Sequence, residues 1–183
     1  MTESATARTV RVWDPFVRVF HWSQVALIGA AWLTEDGPKW LHENAGYLLA
    51  ALIAIRLVWG IVGSRYARFS DFVRGPRAVA LYLGELSRGR ERRHLGHNPA
   101  GGAMIVTLLT TVTATILTGW LQTTDMFWGS SAMEKIHEVA AILVLVLAAI
   151  HVAGVVFESL RHHENLVGAM IHGRKRVDGK EAP

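Results

Sequence analysis

Ile136-His137-Glu138-Val139-Ala140-Ala141-Ile142-Leu143-Val144-Leu145-Val146-Leu147-Ala148-Ala149-Ile150-His151-Val152-Ala153-Gly154-Val155-Val156-Phe157 is the stretch that decides the fold. Apart from Glu138 and two histidines it is apolar, over a length that meets the roughly 18–20 residues a helix needs to cross a bilayer core. Reading outward, Phe16–Leu33, Ala45–Gly63 and Ala100–Leu121 approach or pass the same length. In a chain of 183 residues that is 51% hydrophobic and only 19% charged, a soluble core could not hide so much apolar surface. The pattern predicts an all-α integral membrane protein, one domain over 1–183 folded as a four-transmembrane-helix bundle. The chain has no cysteine, which excludes a disulfide scaffold, thiolate-held zinc, iron–sulfur clusters and c-type haem attachment. Any metal is therefore held through nitrogen or oxygen.

The net charge of +4 reads as membrane topology rather than nucleic-acid affinity. Arg8, Arg11 and Arg18 precede or open the first span, Arg56 lies late in the second, and eight arginines from Arg65 to Arg93 fill the 64–98 connection. Arg161, Arg174, Lys175, Arg176 and Lys180 follow the fourth, so 17 of the 19 cations lie on one side and only Lys39 and Lys135 on the other. The positive-inside rule makes the crowded side, with both termini and the 64–98 loop, cytoplasmic. A cleaved signal peptide competes for the first span, but Arg18 and His21 interrupt the apolar run such a signal requires.

Helices are expected at about 16–34, 42–63, 99–121 and 132–160. Glu35-Asp36-Gly37-Pro38 breaks the chain between the first two, and Asn98-Pro99 supplies a cap followed by proline at the first helical position. Within the 64–98 loop, Pro76 followed by Val79, Tyr82, Leu83 and Leu86 predicts a short interfacial helix. Trp40, Trp120 and Trp128 fall near the outer boundary and Trp13, Trp22 and Trp59 near the inner one, the places of aromatic belts.

Ionisable residues inside a membrane are the first candidates for function. His137 and His151 are fourteen residues apart, about 40° short of four full turns, so they share one helix face roughly 21 Å apart along the axis. That distance is too long for one ion and suits two separate cofactors. Helix direction puts His42 level with His137 and His21 level with His151. Two depth-matched pairs, His21/His151 and His42/His137, are what six-coordinate b-type haem iron needs for electron transfer. The rival readings are interfacial histidines without a ligand and a histidine-based metal transporter; the interiors of the first three spans hold no Asp or Glu to complete a transport site.

Arg56 lies fourteen residues after His42, on the same face and level with His151, where a guanidinium can pair with haem propionates; snorkelling to the interface is the alternative. His97, at the mouth of the third helix, is a candidate contact for a propionate or a quinone headgroup. His94, His162, His163 and His172 read as solvated or headgroup-facing. Thr107, Thr110, Thr111, Thr113, Thr115 and Thr118 read as helix-packing residues.

Val12-Trp13-Asp14-Pro15 with Arg18 and Phe20-His21-Trp22, Arg56-Leu57-Val58-Trp59-Gly60 with Gly63 and Ala67-Arg68-Phe69, Gly96-His97-Asn98-Pro99, and the His137/His151 helix running into Ser159, His162 and Glu164-Asn165-Leu166 together resemble the bacterial cytochrome b561 family, which includes cytochrome b subunits of nickel–iron hydrogenases. The resemblance runs from about Arg11 to Arg176. It implies a multi-pass cytochrome of the bacterial inner membrane with two haems b, ligated by His21, His42, His137 and His151, and electron exchange between the quinone pool and a partner. The expected partners are membrane lipid, quinone, a periplasmic c-type cytochrome or hydrogenase-like enzyme, and a second copy of the chain. A quinol-oxidising enzyme that reduces oxygen or oxidises superoxide is the alternative within the class. Arg18, Arg56 and His97 favour a quinone site on the cytoplasmic side; Glu43, Asp125, Glu134 and Glu138 are the outer candidates, with Glu138 placed to take a quinol proton.

Overall fold

The computed structural model describes residues 8–177. The order is β1 (Thr9–Arg11), α1 (Pro15–Leu33), α2 (Lys39–Val62), a 3-10 turn at Arg65–Ala67, α3 (Phe69–Phe72), α4 (Pro76–Ser87), α5 (Pro99–Leu121), α6 (Ser131–Arg161), α7 (Leu166–His172) and β2 (Arg174–Arg176). The four long helices expected from the sequence are α1, α2, α5 and α6. Their starts follow local chemistry. Asp14 caps α1 by accepting from Val17 N at 2.9 Å with Pro15 as the first helical residue, and Asn98 caps α5 by accepting from Gly101 N at 2.7 Å with Pro99 following. Helix α2 begins at Lys39, earlier than expected, because Pro38 itself occupies the cap position.

Among the described residues, three helices are long and apolar enough to cross a membrane: α2, α5 and α6. Helix α1 falls short of that standard because Arg18, His21 and Gln24 crowd its first half. The long helices pack α1 along α2, α2 against α5 and α5 along α6. Their shared core is a thin cluster of Phe20, Ile53, Leu109, Val112 and Val144, one or two residues from each helix. Apolar side chains also point outward, with Leu33, Ile61, Val62 and Leu160 largely exposed, the inverse of a soluble helix and the pattern lipid requires.

The two short connections, between α1 and α2 and between α5 and α6, lie at one end of these helices, here the turn end. The other is the strand end, where β1 pairs antiparallel with β2 in the register Thr9↔Arg176, Val10↔Lys175 and Arg11↔Arg174. The Gly173 carbonyl accepts from Val12 N and Trp13 N at 2.9 and 3.2 Å, and Gly173 takes the left-handed φ of 84° that ends α7. Buried Val12, Trp13 and Ala169 pack beneath this clasp. Glu164, itself buried, joins Arg93 at 2.9 Å and Lys175 at 3.5 Å, tying the 64–98 connection to the C-terminal strand. The predicted helix after Pro76 forms as α4 and is held inward: buried Tyr82 donates to Glu158 at 2.8 Å, and Asn98 donates to the same carboxylate oxygen at 2.9 Å.

Trp13 does not belong to an interfacial belt. It is 6% exposed and packs against His97 with ring centroids 4.6 Å apart and the planes tilted at 43°, because the strand pairing folds the N-terminal segment under the helix ends. Trp22, Trp40, Trp120 and Trp128 are exposed, as belt residues are. Trp59 donates through Nε1 to Asp14 at 3.2 Å. Asp14 also accepts from Ser64, so one carboxylate joins the start of α1 to the end of α2. Burial works against that carboxylate, but its hydrogen bonds to Ser64, Val17 and Trp59 prevail and hold its pKa below the usual value.

Candidate functional site

Each histidine of α6 faces the depth-matched histidine expected from the sequence. At the strand end the His21 and His151 ring centroids are 6.4 Å apart with the planes at 53°; at the turn end His42 and His137 are 6.1 Å apart at 77°. Metal–imidazole bonds of about 2.0–2.1 Å, plus about 1.1 Å from nitrogen to ring centre, put two imidazoles that share one metal from opposite sides about 6.2 Å apart. Both pairs have that spacing. Among the described residues no group of three or more His, Asp or Glu side chains meets in a metal-holding arrangement; the four histidines of the long helices meet in twos.

The turn-end pair is oriented from behind. His42 Nδ1 lies 2.8 Å from the Ala31 carbonyl and His137 Nδ1 lies 2.9 Å from the Thr115 carbonyl. A carbonyl only accepts, so each Nδ1 carries the proton and each Nε2 presents a lone pair, the arrangement found behind metal-bound imidazoles. Thr118 Oγ1 is 3.2 Å from His137 Nδ1. Gly119 lies beneath the same ring, where a Cβ would stand 2.9 Å from Cε1. A cavity of about 830 Å³ opens beside the pair, lined by His42, Gly46, Val112, Gly119, His137 and Val144 among others, with Glu35, Glu43, Glu134 and Glu138 also on its wall. Its size and mainly apolar wall suit a planar prosthetic group.

Unpaired donors mark the strand end. Arg56 is 4% exposed; its Nη2 donates to the Ala67 carbonyl at 3.1 Å while Nη1 is buried without a hydrogen-bond partner. Its guanidinium lies 5.1 Å from the centre of the Phe69 ring and 6.0 Å from that of Phe20. Arg18 Nε, His21 Nδ1 and His97 Nδ1 are likewise buried and unpartnered. His97 is held between Trp13 and Phe72, at 4.6 and 4.9 Å. Burial, then the positive charges of Lys175 and Arg56, push its pKa down to about 3, so the ring is neutral. Buried polar atoms without partners are costly, and the unpartnered guanidinium nitrogens of Arg18 and Arg56 at this end fit a group bearing carboxylates. These residues fit haem: a facing imidazole pair at each end, an apolar chamber at the turn end, and unpartnered guanidinium groups for propionates at the strand end.

His162, expected in solvent, is mostly enclosed, with Nε2 3.2 Å from Glu158 Oε2. Reading the α5 threonines as packing residues missed the contacts of Thr115 and Thr118 with His137. The three-residue spacing that puts Thr115 and Thr118 on one helix face was the available signal, although Thr115 acts through its backbone carbonyl. Gly119 and the Ala31 carbonyl act through backbone position, which no residue type announces.

The model for prokaryotic cytochrome b561 matches residues 12–173. A protein of Rhodobacter capsulatus described as a probable Ni/Fe-hydrogenase B-type cytochrome subunit is 23% identical over 220 residues, covering 94% of this chain and 84% of that one. No solved structure matches the chain. A match that takes in all four paired histidines, Arg56 and His97 places the chain in the prokaryotic cytochrome b561 family.

Proposed function

We propose that this chain is a di-haem b cytochrome that carries electrons across the bacterial inner membrane between the quinone pool and a periplasmic redox partner. The observation that carries the reading is the double pairing: two imidazole pairs, with centroids 6.4 and 6.1 Å apart, at opposite ends of four packed helices. His21/His151 and His42/His137 would hold the two haems, and Arg56 and His97 would serve the propionates or the quinone at the strand end. Bound haem supplies reversible one-electron chemistry. The protein orients the imidazoles, and a haem held by a histidine pair would serve electron transfer rather than oxygen chemistry. In this reading α1 is the fourth span, with Arg18 at its interfacial end, and the strand end with both termini is cytoplasmic because the cations collect there.

The quinone site belongs at the strand end, where Arg18, Arg56 and His97 hold unpaired donors. At the turn end Glu138 is engaged by Lys135 at 2.7 Å. The short connections at the turn end present a small face, suited to a small periplasmic electron protein. Purified protein tests the reading: a pyridine haemochrome assay is expected to give two haems b per chain with a low-spin spectrum. Stoichiometric divalent metal without haem would establish the transporter reading instead. For the quinone site, His97→Ala is expected to slow haem reduction by quinol with both haems retained, and Glu138→Gln to leave it unchanged; the opposite result moves the site to the turn end.

A further inference from the structure

We propose that Arg56 makes the His21/His151 centre the higher-potential of the two, so that one electron shared between the centres resides at the strand end. The inference rests on the di-haem reading above and concerns what the surrounding charges do to it. Reduction adds negative charge to a centre, so a fixed positive charge nearby favours the reduced form, and more strongly where the charge is shielded from water.

Arg56 is such a charge. It is 4% exposed, its Nη1 has no partner among the described residues, and its Nη2 donates to a neutral carbonyl, that of Ala67. The ring of Phe69 covers it, packed so closely over Gly60 that a Cβ there would overlap the ring. Arg56, His151 and Lys175 all lie within electrostatic reach of His97. Glu164 and Glu91 are paired with cations, whereas hydrogen bonds from neutral donors leave Asp14 charged, so it offsets part of the Arg56 charge. Asp14, which is within reach of Arg56, accepts from Val17, Trp59 and Ser64; Glu158 accepts from Tyr82 and Asn98 and faces His162; Glu164 is shared by Arg93 and Lys175. Arg18, about one helical turn before His21 on α1, adds a second cation at this end.

The turn end has the opposite balance. Glu35, Glu43, Glu134 and Glu138 line its cavity with Lys39 as the one cation on that wall. Lys39 and Lys135 pair with Glu43 and Glu138 at exposed positions, where solvent weakens both charges. No buried cation faces His42 or His137 among the described residues. The asymmetry thus lies chiefly in one shielded guanidinium.

Spectroelectrochemical titration of the purified holoprotein tests this. The wild type is expected to show two midpoints, and His42→Ala to retain one haem that titrates near the higher. Arg56→Gln is expected to shift the higher midpoint downward with the lower little changed, and Arg56→Lys to restore most of the shift. A His42→Ala haem that titrates near the lower midpoint overturns the proposal, as does an Arg56→Gln protein with both haems and an unmoved higher midpoint. If Arg56→Gln fails to assemble, the His42→Ala midpoint alone decides. A wild type that binds fewer than two haems overturns the di-haem reading itself, a failure separate from a reversed order of midpoints.

Discussion

Gly119 shows how little space the turn-end site allows. Its missing Cβ is what lets the His137 ring approach α5 so closely, since a methyl would stand 2.9 Å from Cε1. Gly119→Ala is expected to lower the haem content of the turn-end site and leave the strand-end haem in place, as read by haemochrome yield and the reduced spectrum. His97 makes a different prediction. Its folded pKa of about 3 lies below the ordinary value of 6.5, so between those limits the unfolded chain binds a proton that the folded chain does not. Stability therefore falls as pH drops from 6.5 toward 3 and is unaffected by this group above 6.5. His97→Gln, which cannot titrate, is expected to lose less thermal stability than the parent between pH 7 and pH 5. An equal loss in both would show that other groups dominate.

At the scale of elements, the long helices were legible because their apolar runs and the caps Asp14-Pro15 and Asn98-Pro99 carry strong local signals. The α6 face was legible too, since the fourteen-residue spacing of His137 and His151 is fixed by helix geometry. The strand clasp was not: three-residue strands reading Thr9-Val10-Arg11 and Arg174-Lys175-Arg176 have no periodicity to detect, and the burial of Lys175 depends on Glu164 and the His94 carbonyl. Trp13 was misplaced for the same reason, because only the clasp carries it beneath the helices. The joints between elements are testable. Gly60→Ala drives a methyl into the Phe69 ring, whose nearest atom would be 2.0 Å away, and is expected to destabilise by about 1–3 kcal/mol as the ring moves, read as earlier thermal loss of haem absorbance. Tyr82→Phe removes the bond from α4 to Glu158 and is expected to speed proteolysis in the arginine-rich segment after Ser87; an unchanged cleavage rate would show that α4 is held by packing alone.

Across the whole molecule, the helices bring two histidine pairs to opposite ends of one packed assembly, with acidic residues around one and a buried guanidinium near the other. In the proposed di-haem reading these pairs are two independent sites, each with its own pair of ligands. Haem content in double variants tests it most directly. His42→Ala combined with His137→Ala, and His21→Ala combined with His151→Ala, are each expected to keep one haem per chain, whereas His42→Ala combined with His21→Ala is expected to keep none. One haem retained in the cross-pair variant, or none in either matched variant with the chain still folded in the membrane, would contradict the account.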